Sequence, residues 1–144
     1  MRISQNLILV PVLVQVALTF AVMFMMGFAR SRSMRSRRQQ MQDMALATAD
    51  DWTEEAAKCA NSFKNQFELP VLFHVCCLFA LVTRNVDAVL FSLAALFALS
   101  RIAHAAIHIG PNIVAWRFSA YLVGALLLMV MWALLGWRVA VQGW

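Results

Sequence analysis

The chain has 144 residues, of which 62% are hydrophobic and only 13% are charged. A soluble domain carries about twice that share of charged residues, so the composition excludes an ordinary soluble protein and indicates an integral membrane protein. The formal net charge is +5, but the basic residues cluster beside an apolar segment. There they are typical of topology signals and of contacts with anionic membrane lipids, and we expect no nucleic acid as a partner.

Four apolar segments are long enough to cross a bilayer, at about residues 7–28, 62–82, 86–109 and 113–141. The first exceeds the hydrophobic region of a typical signal peptide and has no small-x-small cleavage pattern after it, so we interpret it as a span. A backbone that crosses lipid must satisfy its own hydrogen bonds, which favours helices. The sequence therefore predicts an all-α membrane protein, a four-transmembrane-helix bundle in a single domain over residues 1–144.

The first connection, at about residues 29–61, is long and basic at its start. It carries Arg30, Arg32, Arg35, Arg37 and Arg38. By the positive-inside rule this loop is predicted to be cytoplasmic, with both termini on the periplasmic side of a bacterial inner (plasma) membrane. Residues 39–58 are rich in Ala, Met, Gln and Glu and lack Gly and Pro, which predicts a helix that continues the first or the second span into water.

The other two connections are short. Residues 83–87 join the second and third spans, and residues 110–112 (Gly-Pro-Asn) join the third and fourth, where glycine and proline end a helix. Cys76 and Cys77 are adjacent, and neighbours on a helix point about 100° apart. They are therefore poorly placed to share a disulfide or a metal ion, and we interpret them as small buried hydrophobic residues with no metal site.

Polar side chains at membrane depth follow one face of the second and third predicted helices. They are Asn61, Asn65 and Glu68 on the second helix, and Arg101, His104 and His108 on the third, while Arg117 opens the fourth. Residues at these spacings share a helix face, and an ionisable stripe within a span is a candidate functional site. The topology places all three groups at the cytoplasmic end. We expect Glu68 to pair with Arg101, either to hold the helices in register or as part of a ligand contact.

Two of these patterns carry a resemblance to a known family. The run Asn65-Gln66-Phe67-Glu68-Leu69-Pro70 has an Asn-x-x-Glu pattern followed by a proline, and the run Arg101-x-x-His104-x-x-x-His108 is followed by Pro111-Asn112 and Arg117. Together they resemble the second- and third-helix signatures of the MAPEG family, the membrane-associated proteins in eicosanoid and glutathione metabolism. The resemblance spans roughly residues 61–138 and agrees with four spans and a long first loop.

The resemblance implies a homotrimer that binds glutathione as a co-substrate between neighbouring subunits, at the cytoplasmic side. It implies that Arg117 is the catalytic residue, stabilising a thiolate that attacks a lipophilic electrophile near the bilayer. The implied substrate-binding residues are Asn65, Glu68, Arg101, His104, His108, Arg30 and Arg32. Of these, Arg101 would support Glu68, and the two arginines near the end of the first span would steer or bind the carboxylates of the ligand.

The sequence departs from the enzymes of that family at three positions. Asn61 stands where they carry an arginine, and His104 and His108 replace tyrosines common on the third helix. Tyr121 is the only tyrosine and lies elsewhere. Lys64 could replace the missing positive charge, but it projects about 60° from the direction of Asn61, on a different helical face. Membership of the family therefore does not by itself predict transferase activity.

The main alternative is a non-catalytic accessory or structural subunit of a larger membrane complex that keeps the MAPEG fold. It predicts lipid-exposed apolar faces that dock partners, although the tryptophans on such faces are also typical of interfacial anchors. A transporter would need a ring of polar groups around a pore, which a trimer axis could supply. Haem ligation is disfavoured because His104 and His108 share one helix and cannot bind opposite faces of a haem.

Overall fold

The computed structural model describes residues 4–37, 42, 48 and 51–142, and every regular element within them is helical. A 3-10 turn (Gln5–Ile8) leads into α1 (Leu9–Arg37); α2 (Glu54–Lys64), a 3-10 turn (Asn65–Phe67) and α3 (Leu69–Val82) follow, then α4 (Ala88–Ile109) and α5 (Val114–Gln142). Four helical segments are long and apolar enough to cross a membrane, the second formed by α2 and α3 together. The prediction of an all-α protein with four membrane-spanning segments is confirmed.

Half of the helix predicted over residues 39–58 falls outside the described residues, which leave out 38–41, 43–47, 49 and 50. Its last part is α2, which begins at Glu54 after the N-cap residue Thr53, whose side chain accepts a hydrogen bond from the Ala56 amide. Glu54 also forms an ion pair with Lys58, one turn further along, at 2.6 Å. These two contacts explain where the second spanning segment starts.

The second spanning segment is interrupted at Glu68, whereas the sequence led us to place Asn61, Asn65 and Glu68 on one face of a continuous helix. Pro70 has no N–H to donate to the carbonyl four residues earlier, and its ring clashes with that carbonyl, so an α-helix cannot run through it. The backbone passes through a 3-10 turn and a non-helical Glu68 (φ −98°, ψ −106°) before α3 begins. The interruption lies at the candidate site.

The apolar core lies between α3, α4 and α5. Phe73 and Phe97 stack with ring centroids 4.4 Å apart, and both are fully buried. Cys76 and Cys77 are free and buried in the same cluster, as predicted. A Cβ on the buried Gly124 would lie 3.0 Å from Ser100 Oγ and 3.6 Å from Arg101 Cδ, so the absence of a side chain there lets α5 approach α4 beside Arg101.

The end of the bundle that holds the α3–α4 connection is closed by a polar clamp, which we define as Gln5, Asp87 and Arg138. Arg138 meets both carboxylate oxygens of Asp87, at 2.7 and 3.1 Å, and also donates to the Asn85 carbonyl. The Gln5 side chain donates to the Val86 carbonyl and accepts from the Val86 amide. The clamp thereby ties the 3-10 turn before α1 and the end of α5 to this connection.

Candidate functional site

An open cavity of about 430 Å³ lies where the α2–α3 interruption meets the last turns of α4 and the first turns of α5. Its lining residues are Asn61, Lys64, Asn65, Glu68, His104, His108, Val114, Arg117, Phe118 and Tyr121. Three separate helical segments thus contribute polar side chains to one space. The helix directions explain this, because the start of the second spanning segment, the end of the third and the start of the fourth lie at the same end of the bundle.

Five of the residues named from the sequence as site residues are in this lining: Asn65, Glu68, His104, His108 and Arg117. Asn61, named as part of the same stripe, is there too. His104 and His108 are both buried, with ring centroids 5.7 Å apart, as expected for residues one turn apart on α4. The structure therefore brings together the two polar stripes and the arginine that opens the fourth spanning segment.

Arg117 is held in place by the connection that precedes it. Its Nη1 donates to Asn112 Oδ1 at 2.9 Å. Asn112 has a positive φ of 51°, a conformation that asparagine tolerates better than most residues, and its amide donates to the Ile107 carbonyl at 2.8 Å. Gly110 ends α4, where a Cβ would lie only 2.9 Å from the Ala106 carbonyl oxygen. The Gly-Pro-Asn connection thus orients the arginine toward the cavity.

Arg101 does not line the cavity but lies behind it, completely buried. Its Nη2 is 3.3 Å from His104 Nδ1 and 3.5 Å from the Asn65 carbonyl oxygen. Its guanidinium lies 5.6 Å from the centroid of the Tyr121 ring, within the range of a cation–π contact. Among the described residues, its Nε and Nη1 have no hydrogen-bond partner.

The expected pairing of Glu68 with Arg101 is not found. No carboxylate oxygen of Glu68 comes within 4.0 Å of the guanidinium, and Glu68 is exposed to the cavity without an ion pair to any described residue. Glu68 faces the cavity together with Asn61 and Asn65, whereas the Arg101 guanidinium lies behind the lining, beside His104 and the Asn65 carbonyl, and this keeps the two charges apart. The carboxylate is instead available to a ligand.

Comparison with known proteins supports the resemblance noted in the sequence. The model of the MAPEG family matches residues 8–137 of this chain. The chain belongs to the MAPEG family. No curated protein and no solved structure matches it.

Relative to the MAPEG enzyme pattern, the cavity holds two side chains whose position was not expected from the sequence. Lys64 lines it together with Asn61, because residues three apart on α2 are neighbours on the helix surface, so the prediction that Lys64 lies on a different face is wrong. Tyr121 lies on α5 with its ring 5.9 Å from that of His104, so a phenol reaches the cavity from a different helix than the tyrosines common in the family. The signal for Tyr121 was its position four residues after Arg117, on the same helical face.

A buried amide pair that we did not anticipate supports the 3-10 turn. Gln15 of α1 donates to Gln66 Oε1 at 2.9 Å, and Gln66 Nε2 lies 3.3 Å from the Ser62 carbonyl. Both glutamines are buried. Since Gln66 lies between Asn65 and Glu68 in the sequence, this contact anchors the turn that presents them. The signal was a glutamine in the middle of an apolar span, where an amide needs a partner.

Arg30 and Arg32 lie outside this cavity. The Arg30 guanidinium stacks on Trp52, 4.8 Å from the ring centroid. Arg32 lines a separate, smaller cavity of about 240 Å³ with residues that include Glu55 and Cys59. Within this chain, these arginines are not brought to the other predicted site residues.

The polar lining of the MAPEG cavity has a distinct charge pattern. It holds two basic side chains, Lys64 and Arg117, and one acidic side chain, Glu68. Neutral donors and acceptors come from Asn61 and Asn65. Val114 and Phe118 add an apolar border beside Arg117. Such a set suits a zwitterionic organic ligand with more carboxylates than ammonium groups, because each charge on the ligand finds an opposite charge.

Proposed function

We propose that this MAPEG protein binds glutathione, or a related thiol peptide, in the cavity and conjugates it to a lipophilic electrophile. The observation that carries the proposal is the charge complementarity of the lining. Glutathione has two carboxylates and one ammonium group, and the cavity offers two cations and one carboxylate. Its volume of about 430 Å³ also falls in the range of small-molecule sites.

Arg117 is the proposed catalytic residue. A guanidinium remains protonated in an apolar setting, and a nearby positive charge favours the thiolate over the thiol. The thiol releases its proton to water, and the thiolate sulfur then forms a bond to the electrophilic carbon. The leaving group departs with its bonding electrons. The exposed apolar Val114 and Phe118 next to Arg117 give a lipophilic electrophile a surface on which to approach the sulfur.

In this proposal Glu68 binds the ammonium group, Asn65 the peptide amides and Lys64 a carboxylate. The assembly is a homotrimer, in which Arg30 and Arg32 reach a ligand only across the boundary to a neighbouring subunit. The proposed location is a bacterial inner membrane with the cavity and the first loop on the cytoplasmic side and both termini periplasmic. The arginines that follow the first span support this orientation.

The decisive experiment is calorimetric titration of glutathione into the purified protein in mild detergent, with variants at two arginines. Arg117→Ala is expected to weaken binding about tenfold or more, as for loss of a hydrogen bond to a charged group. Arg35→Ala removes the same charge from an exposed position of α1 and is expected to leave affinity unchanged. Turnover of a chloronitroaromatic electrophile should disappear in Arg117→Ala alone.

Native mass spectrometry of the same samples separates the proposal from its main alternative. A folded protein that binds no glutathione and is detected in a complex with other membrane proteins would overturn the proposal in favour of an accessory subunit. Loss of the oligomer together with activity in Arg117→Ala would instead make this arginine structural.

A further inference from the structure

The contact between Arg101 and His104 determines which ring nitrogen of His104 carries hydrogen. Arg101 Nη2 lies 3.3 Å from His104 Nδ1, and both residues are buried. A guanidinium has only donors and stays protonated, so the hydrogen between the two atoms belongs to Arg101. Nδ1 must then be the acceptor. An imidazole with a lone pair on Nδ1 is neutral and carries its hydrogen on Nε2.

We propose that Arg101 locks His104 as the neutral Nε2–H tautomer and that His104 thereby presents a hydrogen-bond donor to an anionic group of the ligand. His104 is in the lining of the cavity, whereas Arg101 is not, so Arg101 is a positioning residue that acts through the imidazole. The ligand half of this inference rests on the proposed function. The tautomer half rests only on the arginine–histidine contact.

The surroundings of Arg101 hold its guanidinium in the required place. Besides His104, the same Nη2 lies 3.5 Å from the Asn65 carbonyl oxygen, and the Tyr121 ring lies 5.6 Å from the guanidinium carbon. On the side of α5, the missing side chain of Gly124 leaves room for the arginine stem, since a Cβ there would lie 3.6 Å from Arg101 Cδ. Three elements thus converge on one arginine.

Charge also favours a neutral imidazole at this position. A protonated His104 would place a second cation beside a buried guanidinium that forms no ion pair with any carboxylate of the described residues, and like charges in a low-dielectric interior repel strongly. The neutral Nε2–H tautomer avoids this repulsion and still offers a donor. His104 is therefore suited to bind an anion together with Arg117 and Lys64 without adding a third positive charge to the lining.

The tautomer is tested on the full-length protein in detergent by nitrogen NMR of ¹⁵N-labelled histidine. The chain has three histidines, so single replacements of His74, His104 and His108 assign the signals. We expect His104 to show an unprotonated Nδ1 and a protonated Nε2 at neutral pH. In Arg101→Met, which removes the donor, the signals should move toward a mixture of tautomers. A protonated Nδ1 in the native protein would overturn the inference.

Ligand binding is tested with two amides of different length at position 104, using glutathione as the probe. Asparagine can place its oxygen near Nδ1 and so keep the acceptor for Arg101, but it does not reach the position of Nε2. Glutamine can place an N–H donor there. We expect His104→Asn to weaken glutathione binding about tenfold and His104→Gln to stay within about threefold of the native protein. Equal affinities of the two variants would overturn the role of His104 as a donor to the ligand.

The two measurements separate failure of this inference from failure of the proposed function. If the folded native protein binds no glutathione, the proposed function is wrong and the ligand half of the inference falls with it. The NMR signals of His104 still decide whether Arg101 locks the tautomer. If glutathione binding depends on Arg117 but not on the donor at position 104, the proposed function is supported and the ligand half of the inference is wrong.

Discussion

At the scale of single residues, three arginines within the spanning segments have three different kinds of hydrogen-bond partner. Arg138 forms a two-pronged ion pair with Asp87, Arg117 donates to the Asn112 amide oxygen, and Arg101 donates to a histidine ring. A guanidinium that is already paired with a carboxylate has little capacity left for an anionic ligand. One that is held by a neutral amide keeps its positive charge and its remaining N–H donors available. This difference is why we assign the anion-binding role to Arg117.

The contact between Asn112 and Arg117 leads to a first prediction. Asn112→Gly keeps the positive φ of this position at low cost but removes the oxygen that holds the guanidinium. We expect glutathione affinity to fall about fivefold, the equivalent of about 1 kcal/mol for one hydrogen bond, with little change in thermal stability. Titration calorimetry measures the first quantity and a melting curve the second.

Asn112→Asp is the matched variant because it keeps the oxygen acceptor but makes it a carboxylate that pairs with Arg117. Since a paired guanidinium has less capacity for an anionic ligand, its affinity for glutathione should also fall. If both variants bind as tightly as the native protein, Arg117 does not depend on Asn112 for its orientation.

At the scale of the elements, the close approach of α4 and α5 depends on Gly124. Gly124→Ala would place a Cβ 3.0 Å from Ser100 Oγ, in a buried contact that also borders Arg101. We expect a loss of about 1 kcal/mol of stability, as for other overpacked core positions. Gly136→Ala, on the same helix, meets nothing within 4 Å and should be neutral or slightly stabilising.

Ser100→Ala combined with Gly124→Ala tests the cause, because it removes the oxygen nearest to the added Cβ. The double variant should recover part of the lost melting temperature in detergent. If it melts no higher than Gly124→Ala alone, the contact with Ser100 is not the source of the destabilisation.

The link between α1 and the 3-10 turn gives a third prediction. Gln15→Leu removes the amide that donates to Gln66, and hydrogen bonds between helices in membranes contribute about 0.6 kcal/mol on average. We expect a small loss of stability and a several-fold loss of glutathione affinity, because the turn that presents Asn65 and Glu68 loses its support. A melting curve of the purified protein measures the stability, and titration calorimetry measures the glutathione affinity.

The control for this variant lies one turn further along α1. Thr19→Val also removes a polar group, but the Thr19 hydroxyl bonds only to the Gln15 carbonyl of its own helix. Affinity should be unchanged in Thr19→Val. Equal effects of the two variants on binding would show that the Gln15–Gln66 contact does not position the turn.

Helical period and span length predicted the elements of this protein well, but not how they are locally distorted. The stripe of Arg101, His104 and His108 lies on an uninterrupted helix; its two histidines line the cavity, and Arg101 contacts His104 from behind it. Glu68 lies two residues before a proline, where the helix is broken, and its side chain faces the cavity instead of its predicted partner Arg101. Matching charges by sign alone therefore failed, because it took no account of which of them lies behind the lining.

At the scale of the whole molecule, the two ends of the bundle differ in how their polar groups are used. At one end Glu68 has no ion-pair partner among the described residues and faces an open cavity. At the other end the charged residues of the polar clamp pair with each other. The side chains of Arg138 and Asp87 are only 17% and 32% exposed. The sequence indicated the cavity end, where polar stripes follow two helices, but it did not predict the ion pair at the other end, because Asp87 and Arg138 lie far apart along the chain. The clamp stabilises the bundle and leaves the cavity end free to bind.

The polar clamp gives the last prediction, which concerns pH. Burial alone would raise the pKa of the Asp87 carboxyl, but hydrogen bonds from Arg138 and the Leu90 amide, with the charge of Arg138, hold this pKa below its ordinary value. The stability that the carboxylate contributes is therefore complete above the unfolded-state pKa of about 3.9 and is lost as the pH falls through the folded-state value. Asp87→Asn, which keeps a good N-cap residue for α4, should destabilise the protein by about 1 kcal/mol at neutral pH. The difference in melting temperature between the native protein and Asp87→Asn should then shrink in acid, and a difference that stays constant down to about pH 3 would contradict a stabilising charge on Asp87.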